Sequence, residues 1–392
     1  MPDTWHLAHV ITQLDWGGAQ LATLYQIEHV TFPHGRRFLL HGPGGSLPRG
    51  ARQLKGVESV VVGSLRREIH PLNDARALAE LTRVLRRLRR EHKGRWLVHT
   101  HSSKAGILGR AAARLSGVDC VVHTIHGFGH QPQQGPLLHG ALLNAERAVA
   151  RITHAFTADS AANIAQARRQ GIIRDQPARV VRCGIDVARH ATPRRARDQT
   201  RRLLGIGLDA QVVVTFAALK PQKDPESRLR VAAQVVREQP AAVFLGAGDG
   251  ELGPRVEELR KELALEAHVQ LLGWRDDAAE LLHAADLLLL TSLWEGLPQA
   301  FPQAMAARLP IVATAVDGAP EAIEHGASGF LCPPGDVHAL ARSVIDLLRD
   351  GELRQRMGER GRARVHEFAQ EAMVEHLDAL YVELAQHGGT CG

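Results

Sequence analysis

Asp286-Leu-Leu-Leu-Leu290-Thr-Ser292-Leu-Trp294-Glu295-Gly296-Leu297-Pro298-Gln-Ala-Phe-Pro-Gln303-Ala-Met305-Ala-Ala-Arg308-Leu-Pro310-Ile-Val-Ala-Thr314 is the stretch whose reading decides the fold. The apolar run Leu287 to Leu290 has no polar alternation and is far too short to span a bilayer, so it predicts a strand buried on both faces of a parallel sheet. A polar, glycine-containing turn follows. Gln299 to Ala307 carries Ala, Gln and Met at helical spacing, and Pro310 ends that pattern before a second β-branched strand, Ile311 to Thr314. The unit is therefore β-loop-α-β. It places Ser292, Glu295 and Gly296 at the carboxyl end of a strand and the start of a helix, where open α/β sheets hold ligands and backbone N–H groups favour anions.

Outward from this unit the same alternation runs through the chain twice. Upstream of it, Val212 to Ala217 predicts a strand, followed by the cationic loop Leu219-Lys220-Pro-Gln-Lys223-Asp224 and a helix from Glu226 to Glu238. Ala241 to Leu245 leads into Gly246-Ala-Gly248-Asp249-Gly250, and His268 to Leu272 leads into Gly273-Trp274-Arg275-Asp276. Downstream, Gly329 to Leu331 is a last strand and helices fill Val337 to Gln386. Lys220, Lys223, the three glycines, Trp274, Arg275 and Ser292 to Gly296 thus all fall at carboxyl ends of successive strands, on one edge of one sheet. Lysines beside N–H-donating helix starts suit a diphosphate. Trp274 suits the border of a base, and Glu295 suits sugar hydroxyls. Such a set fits a nucleoside diphosphate linked to a sugar, with the diphosphate leaving.

The first half has its own set. His6 to Ile11 is a strand, and Gly17-Gly18 opens a helix, as a close backbone approach to a ligand would require and as a plain tight turn would also allow. Trp96 to Thr100 delivers His99, His101, Ser102, Ser103 and Lys104 to a helix start at Ala105. These suit a polar or phosphate-bearing substrate, and Ser102 or Ser103 equally suits a simple N-cap. Cys120 to Ile125 ends in His126-Gly127-Phe128. Arg83, Arg86, Arg87, Arg89, Arg90 and Lys93 line one side of a helix predicted over 73–93, a stripe able to rest on anionic lipid or to be a solvated surface. Residues 187–201, rich in Arg, Pro and Thr without apolar period, read as a linker.

Composition bounds these readings. The chain has 392 residues, 44% hydrophobic and 23% charged, which is enough for two cored domains and excludes general disorder. Its net charge of +6 permits phosphate-bearing ligands, nucleic acid or anionic lipid. Aromatic content of 4% disfavours a base-stacking surface. The four cysteines, at 120, 183, 332 and 391, lack metal-ligand spacing, so a reduced, cytoplasmic protein without bound metal is expected. The opening Met1-Pro-Asp-Thr-Trp shows no export pattern, and no apolar run approaches a membrane span.

The second half resembles the donor-binding domain of the retaining glycosyltransferases of family 4, whose fold is GT-B. Their signature of Glu, seven residues, then Glu in a run ending Ala-Met-Ala-x-Gly-x-Pro stands here as Glu295-Gly296-Leu297-Pro298 through Gln303-Ala304-Met305-Ala306 to Arg308 and Pro310. Gly246 to Gly250, Leu272-Gly273-Trp274, Asp317-Gly318-Ala-Pro320-Glu321 and Gly329 to Asp336 match as well. So do Gly17-Gly18-Ala19, His101 to Gly106 and His126-Gly127-Phe128 in the first half. The resemblance implies α/β architecture with two Rossmann-like doubly wound parallel-sheet domains, 1–190 and 191–370, facing a central cleft, and a C-terminal helix and tail, 371–392, returning to the first. It implies transfer of a sugar from a nucleotide-diphosphate donor, with retention, to a glycan or lipid-linked acceptor of cell-surface or exopolysaccharide biosynthesis.

On that reading His126, Glu295 and Lys223 are catalytic. Gly17, Gly18, Lys220, Gly246, Gly248, Asp249, Gly250, Trp274, Arg275, Ser292, Gly296, Leu297, Pro298 and Gln303 bind the donor, and His101, Ser103 and Lys104 lie on the acceptor side. No cofactor or metal is expected, since lysines and helix N-termini supply the charge. No carboxylate pair of the hydrolase kind is present, which points to front-face displacement. The implied partners are the nucleotide sugar, the acceptor and the inner leaflet of the membrane as a peripheral contact, not nucleic acid. Three positions depart from the pattern: Gln303 replaces the second Glu, Ala218 an Arg, and Arg308 a Gly. A nucleotide-sugar epimerase, or a sugar-binding protein without activity, are the alternatives. A dinucleotide oxidoreductase is disfavoured, because Gly246 to Gly250 has the wrong spacing.

Overall fold

The computed structural model describes residues 4–32, 35–47, 53–130 and 135–386. Cys391 and the tail after Gln386 lie outside them, as do Met1 to Asp3. Contacts divide the chain into two compact units, Met1–Gly184 with Gln370–Gly392, and Ile185–Ala369.

The first unit runs β1 (Trp5–Ile11), α1 (Gly18–His29), β2 (Arg37–His41), β3 (Val57–Val61), α2 (Pro71–Glu91), β4 (Arg95–His101), α3 (Ser103–Leu115), β5 (Cys120–Ile125), α4 (Pro136–Ala150), β6 (Ala155–Ala158), α5 (Ala161–Arg169) and β7 (Ala178–Val180). Its seven strands form one sheet in the order β3-β2-β1-β4-β5-β6-β7, parallel throughout. The order reverses between β1 and β4, so the loops leaving those two strands diverge to opposite faces and leave a crevice at their carboxyl ends.

The second unit runs α6 (Val187–Ala191), α7 (Arg197–Leu203), β8 (Gln211–Phe216), a 3₁₀ turn (Pro221–Lys223), α8 (Pro225–Glu238), β9 (Ala242–Ala247), α9 (Gly253–Glu262), β10 (Val269–Gly273), α10 (Ala278–Ala284), β11 (Leu287–Leu290), α11 (Ala300–Ala306), β12 (Ile311–Thr314), α12 (Ala319–Ala322), β13 (Gly329–Cys332), α13 (Val337–Arg349) and α14 (Gly351–Arg364). The sheet order is β10-β9-β8-β11-β12-β13. Here the reversal lies between β8 and β11. The four leucines of β11 divide by parity: Leu288 and Leu290 join one core, Leu287 and Leu289 the other. Period-two alternation with both faces covered is why the run contains no polar residue.

The last helix, α15 (Gln370–Gln386), belongs to the first unit. Met373, Leu377, Leu380 and Tyr381 sit in the core that holds Leu7, Leu97 and Val122. Among the described residues, no helix is long and apolar enough to cross a membrane.

Residues 187–201 correct the linker reading. They fold as α6 and most of α7 within the second unit, and the division falls at Gly184 and Ile185 rather than at 190. Arginines stand in for the missing apolar period. Arg201, only 1% exposed, pairs with Asp286 at 3.2 Å and donates to the carbonyls of Ala284 and Ala210. Arg197 pairs with the other oxygen of Asp286 at 2.7 Å. Asp286 also accepts the Val212 N–H, so one carboxylate ties α7 to the entry of both central strands.

Candidate active site

The loops leaving β8 and β11, the two strands at the reversal, are bonded to each other. The Leu293 N–H donates to the Gln222 carbonyl at 2.8 Å. The Thr291 hydroxyl donates to the carbonyls of Lys223 and Asp224 at 3.0 and 2.9 Å, and the Gln222 amide to that of Trp294 at 2.9 Å. Across this seam the Lys223 ammonium donates to the Glu295 carboxylate, whose side chain is 7% exposed. A third loop, after β12, closes over them. The Thr314 hydroxyl donates to the Ser292 carbonyl at 2.5 Å, and the Glu295 N–H to Asp317 at 2.6 Å. Burial pushes the Asp317 carboxyl up, against the pull of that N–H. Asp224 (φ 44°) and Asp317 (φ 41°) both hold left-handed backbone in these loops, a cost that clusters where a site fixes its geometry.

Lys223 and Glu295, far apart in sequence, are thus in contact. Lys220 is half-buried one residue before the 3₁₀ turn. Gln303, on α11, is half-buried and is hydrogen-bonded to neither Lys223 nor Glu295. Ser292 is 2% exposed, and its hydroxyl has no partner among the described residues.

Other predicted donor residues stand differently from the expectation. Arg275 is spent on a two-pronged bond to Asp277 at 2.8 and 2.6 Å, which raises the guanidinium and lowers the carboxyl. Trp274 beside it is 48% exposed. Leu297 is a core residue beside Leu290 and Phe301, and Pro298 is buried, so neither presents a side chain to solvent. Gly248 (φ +145°) and Gly250 are small because a Cβ would meet the carbonyl oxygens of Ala217 at 2.0 Å and Leu219 at 2.5 Å. The close approach is the protein's own backbone. Asp249 accepts the Gly250 N–H within the same turn. Gly296 accepts the Gly318 N–H at 3.1 Å. In the first unit, a Cβ at Gly17 would touch only the tip of Gln20, so packing does not demand glycine there, and Gly18 simply begins α1.

The first unit's residues gather at the carboxyl ends of β1, β4, β5 and β6. His126 Nδ1 donates to Asp159 at 3.1 Å, and the Cys183 thiol donates to the same carboxylate at 3.2 Å; burial raises that thiol's pKa. His126 Nε2 lies 3.3 Å from His101 Nδ1. His101 Nε2 lies 3.0 Å from His9 Nδ1, and His9 Nε2 lies 3.1 Å from the Tyr381 hydroxyl. That hydroxyl is 2.5 Å from His99 Nδ1, and His99 Nε2 is 2.6 Å from Thr124 Oγ1. Burial lowers the pKa of His9 to about 3, and pulls His99 and His101 well down. The row is neutral.

Lys104 is engaged within the unit: its ammonium pairs with Asp74 at 2.5 Å and donates to the Glu68 carbonyl, so it ties α3 to the start of α2 and the loop before it. Ser102 occupies the N-cap position of α3 at φ 61° without capping it. Its hydroxyl meets Thr12 Oγ1 at 2.8 Å, and Thr12 accepts the Ala105 N–H instead. Ser103 fills the space beside Gly129. On α2, Arg86 and Arg89 donate to the carbonyls of Leu115 and Ser116 at the end of α3, which makes part of the basic stripe a docking device. His9, Asp159, Cys183 and Tyr381 were not singled out from sequence. The available signal was His99 and His101 two apart on one strand, with His9 their neighbour on the next.

Among the described residues two groups bring metal-capable atoms within 4.8 Å of one another: His9, His99 and His101, and His126, Asp159 and Cys183. In the first group every ring nitrogen is already in a hydrogen bond.

Two family models match the chain: Glycosyltransferase Family 4 over residues 38–189 and Glycosyl transferases group 1 over residues 196–364. A UDP-Gal:alpha-D-GlcNAc-diphosphoundecaprenol alpha-1,3-galactosyltransferase of Escherichia coli is 29% identical over 84% of each chain. Among solved structures, a sucrose-phosphate synthase of Thermosynechococcus elongatus superposes with a TM-score of 0.84 at 20% identity, over 98% of this chain and 100% of that one. Anabaena HepE in complex with UDP and glucose superposes with a TM-score of 0.80 at 21% identity, over 97% and 100%. With two parallel-sheet units, and both family models matched in order along the sequence, the chain belongs to the glycosyltransferases of the family 4 type, with the GT-B fold.

Proposed function

We propose that this glycosyltransferase moves a sugar from a nucleoside-diphosphate donor to a hydroxyl of a glycan or lipid-linked acceptor in bacterial surface glycan assembly, with retention and without a metal ion. The observation that carries the reading is the Lys223–Glu295 pair at the β8–β11 reversal. A carboxylate that is 7% exposed and a partly exposed ammonium side by side suit a ligand that offers hydroxyls to one and phosphate oxygens to the other. In the reaction the anomeric carbon–oxygen bond to the diphosphate breaks and a bond to the acceptor oxygen forms on the same face. The acceptor proton passes to the departing diphosphate, whose charge Lys223 and Lys220 neutralise. Glu295 accepts hydrogen bonds from the sugar, and Gln303 holds the ribose as an amide able both to donate and to accept. The name of the E. coli relative, with its UDP-linked donor and diphosphoundecaprenol acceptor, supports these two classes.

Purified protein supplied with UDP-sugars and a lipid-diphosphate acceptor should transfer or slowly hydrolyse one of them. Lys223→Ala should lower kcat by roughly 10²-fold and KM for the donor much less. Wild-type protein inert toward every nucleotide sugar sinks the reading, and an unchanged rate in the variant removes Lys223 from it.

A further inference from the structure

Among the described residues three arginines are almost wholly buried: Arg110, Arg201 and Arg228, at 0, 1 and 4% exposure. The first two have carboxylates, Glu146 and Asp286. Arg228 has none. Burial alone, with no charged neighbour contributing, draws its pKa down to about 10, so it is a cation at neutral pH. Its Nη2 has no hydrogen-bond partner among the described residues. A buried charge left unpaired is strongly destabilising, and apolar side chains of the same size would pack this position at no such cost.

The place of Arg228 says what could pair it. It lies in the first turn of α8, just after Lys220, Lys223 and the N-cap Asp224. Helix side chains lean toward the helix N-terminus, here toward the carboxyl edge of the sheet. The guanidinium packs on Gly246, near the end of β9: a Cβ there would fall 3.1, 3.2 and 3.3 Å from Nη1, Nη2 and Cζ. Glycine at 246 is therefore the room that the guanidinium occupies. At the exit of β11, two strands from β9 in the sheet, the buried Ser292 hydroxyl is also without a partner among the described residues. A buried cation with an unpartnered Nη2, in the helix that follows Lys220 and Lys223 at the carboxyl edge of the sheet, calls for an oxyanion.

We propose that Arg228 is a ligand-binding residue of the second unit, which takes a phosphate oxygen of the donor's diphosphate from beneath the Gly246–Gly250 turn, alongside Lys220 and Lys223. This deepens the proposed function and rests on it. The position is a selective cost in the empty protein and a gain in the loaded one, a sign that a packing residue does not give.

Thermal unfolding and titration calorimetry with UDP, GDP, inorganic pyrophosphate and uridine test it. Wild-type protein should be stabilised by pyrophosphate and by one nucleoside diphosphate, and not by uridine; the pyrophosphate arm separates free phosphate from nucleotide as the source of the anion. Arg228→Met should unfold, without ligand, at the same temperature or higher, yet bind the diphosphates about 10- to 100-fold more weakly. Arg228→Lys, which keeps the charge but not the fork, should fall between. An Arg228→Met protein that binds as wild type does overturns the inference alone. So does one that loses unliganded stability together with binding, since that marks a packing role. Wild-type protein that binds none of the diphosphates overturns the proposed function itself.

Discussion

Asp159 sets the proton positions of a whole row of side chains. A carboxylate only accepts, so His126 Nδ1 must carry the proton that faces it at 3.1 Å. Where that is the ring's one proton, His126 Nε2 is bare and can only accept from His101 Nδ1. The same logic passes through His9 and the Tyr381 hydroxyl to His99, making all four imidazoles Nδ1–H tautomers, against the usual preference for Nε2–H. The consequence for chemistry is a lone pair on His126 Nε2 that a ligand hydroxyl can take over from His101, whose bond to it, at 3.3 Å, is the longest of the row. Nitrogen-15 NMR of labelled wild-type protein should show four Nδ1–H patterns. Tyr381→Phe leaves the His99 N–H without an acceptor and His9 Nε2 without a donor, so His9 and His101 should turn in part to Nε2–H, at about 1–3 kcal/mol in stability. An Nε2–H signal from His101 or His126 in the wild type, or ring shifts typical of a bound metal, would show the row to be ordered by something else.

Among the elements, α11 shows how a motif departure is absorbed. Arg308, two residues beyond it, has φ 58°, the left-handed backbone that glycine adopts freely and that costs another residue about 1–2 kcal/mol. Its ion pair with Glu359, at 3.1 Å between side chains 64% and 55% exposed, returns little. Arg308→Gly should therefore raise stability by up to about 1 kcal/mol, after the extra entropy of an unfolded glycine, as a shift of the urea midpoint at constant m. A lower midpoint would place the value of Arg308 in its side chain. Strands and helices with strong patterns were legible from sequence: Cys120–Ile125, Leu287–Leu290, Ile311–Thr314 and the helix Pro136–Ala150 lie where periodicity puts them. The pairing of Lys223 with Glu295 followed from both lying at carboxyl ends of central strands. What escaped was held by long-range polar contacts. Arg201 looks like solvent-facing charge until Asp286 is beside it, Lys104 looks free until Asp74 is found, and the need for glycine at 248 and 250 is not visible until the backbone of 217–219 is seen packed against them.

At the scale of the molecule, acid should not act on the two units alike. His9, His99, His101 and His123 are all buried in the first unit, and burial is the leading cause that lowers each pKa, that of His9 to about 3. The unfolded chain takes up these protons below about pH 6.5 while the folded unit refuses them, so the stability they contribute is complete above that value and is lost as pH falls below it, for His9 down to about pH 3. The four losses run in the same direction and fall on one sheet. In the second unit, among the described residues, His190 alone is a buried histidine, at 9% exposure, and its pKa is lowered by burial against the pull of its bond to the Asp186 carbonyl. Hydrogen exchange between pH 7 and pH 5, corrected for intrinsic rates, should accordingly show protection falling steeply in β1, β4 and β5 and in α15, whose Tyr381 shares the row, while β8, β11 and β12 keep theirs. Equal loss in both sheets would mean that the imidazoles are not the groups that set the acid limit.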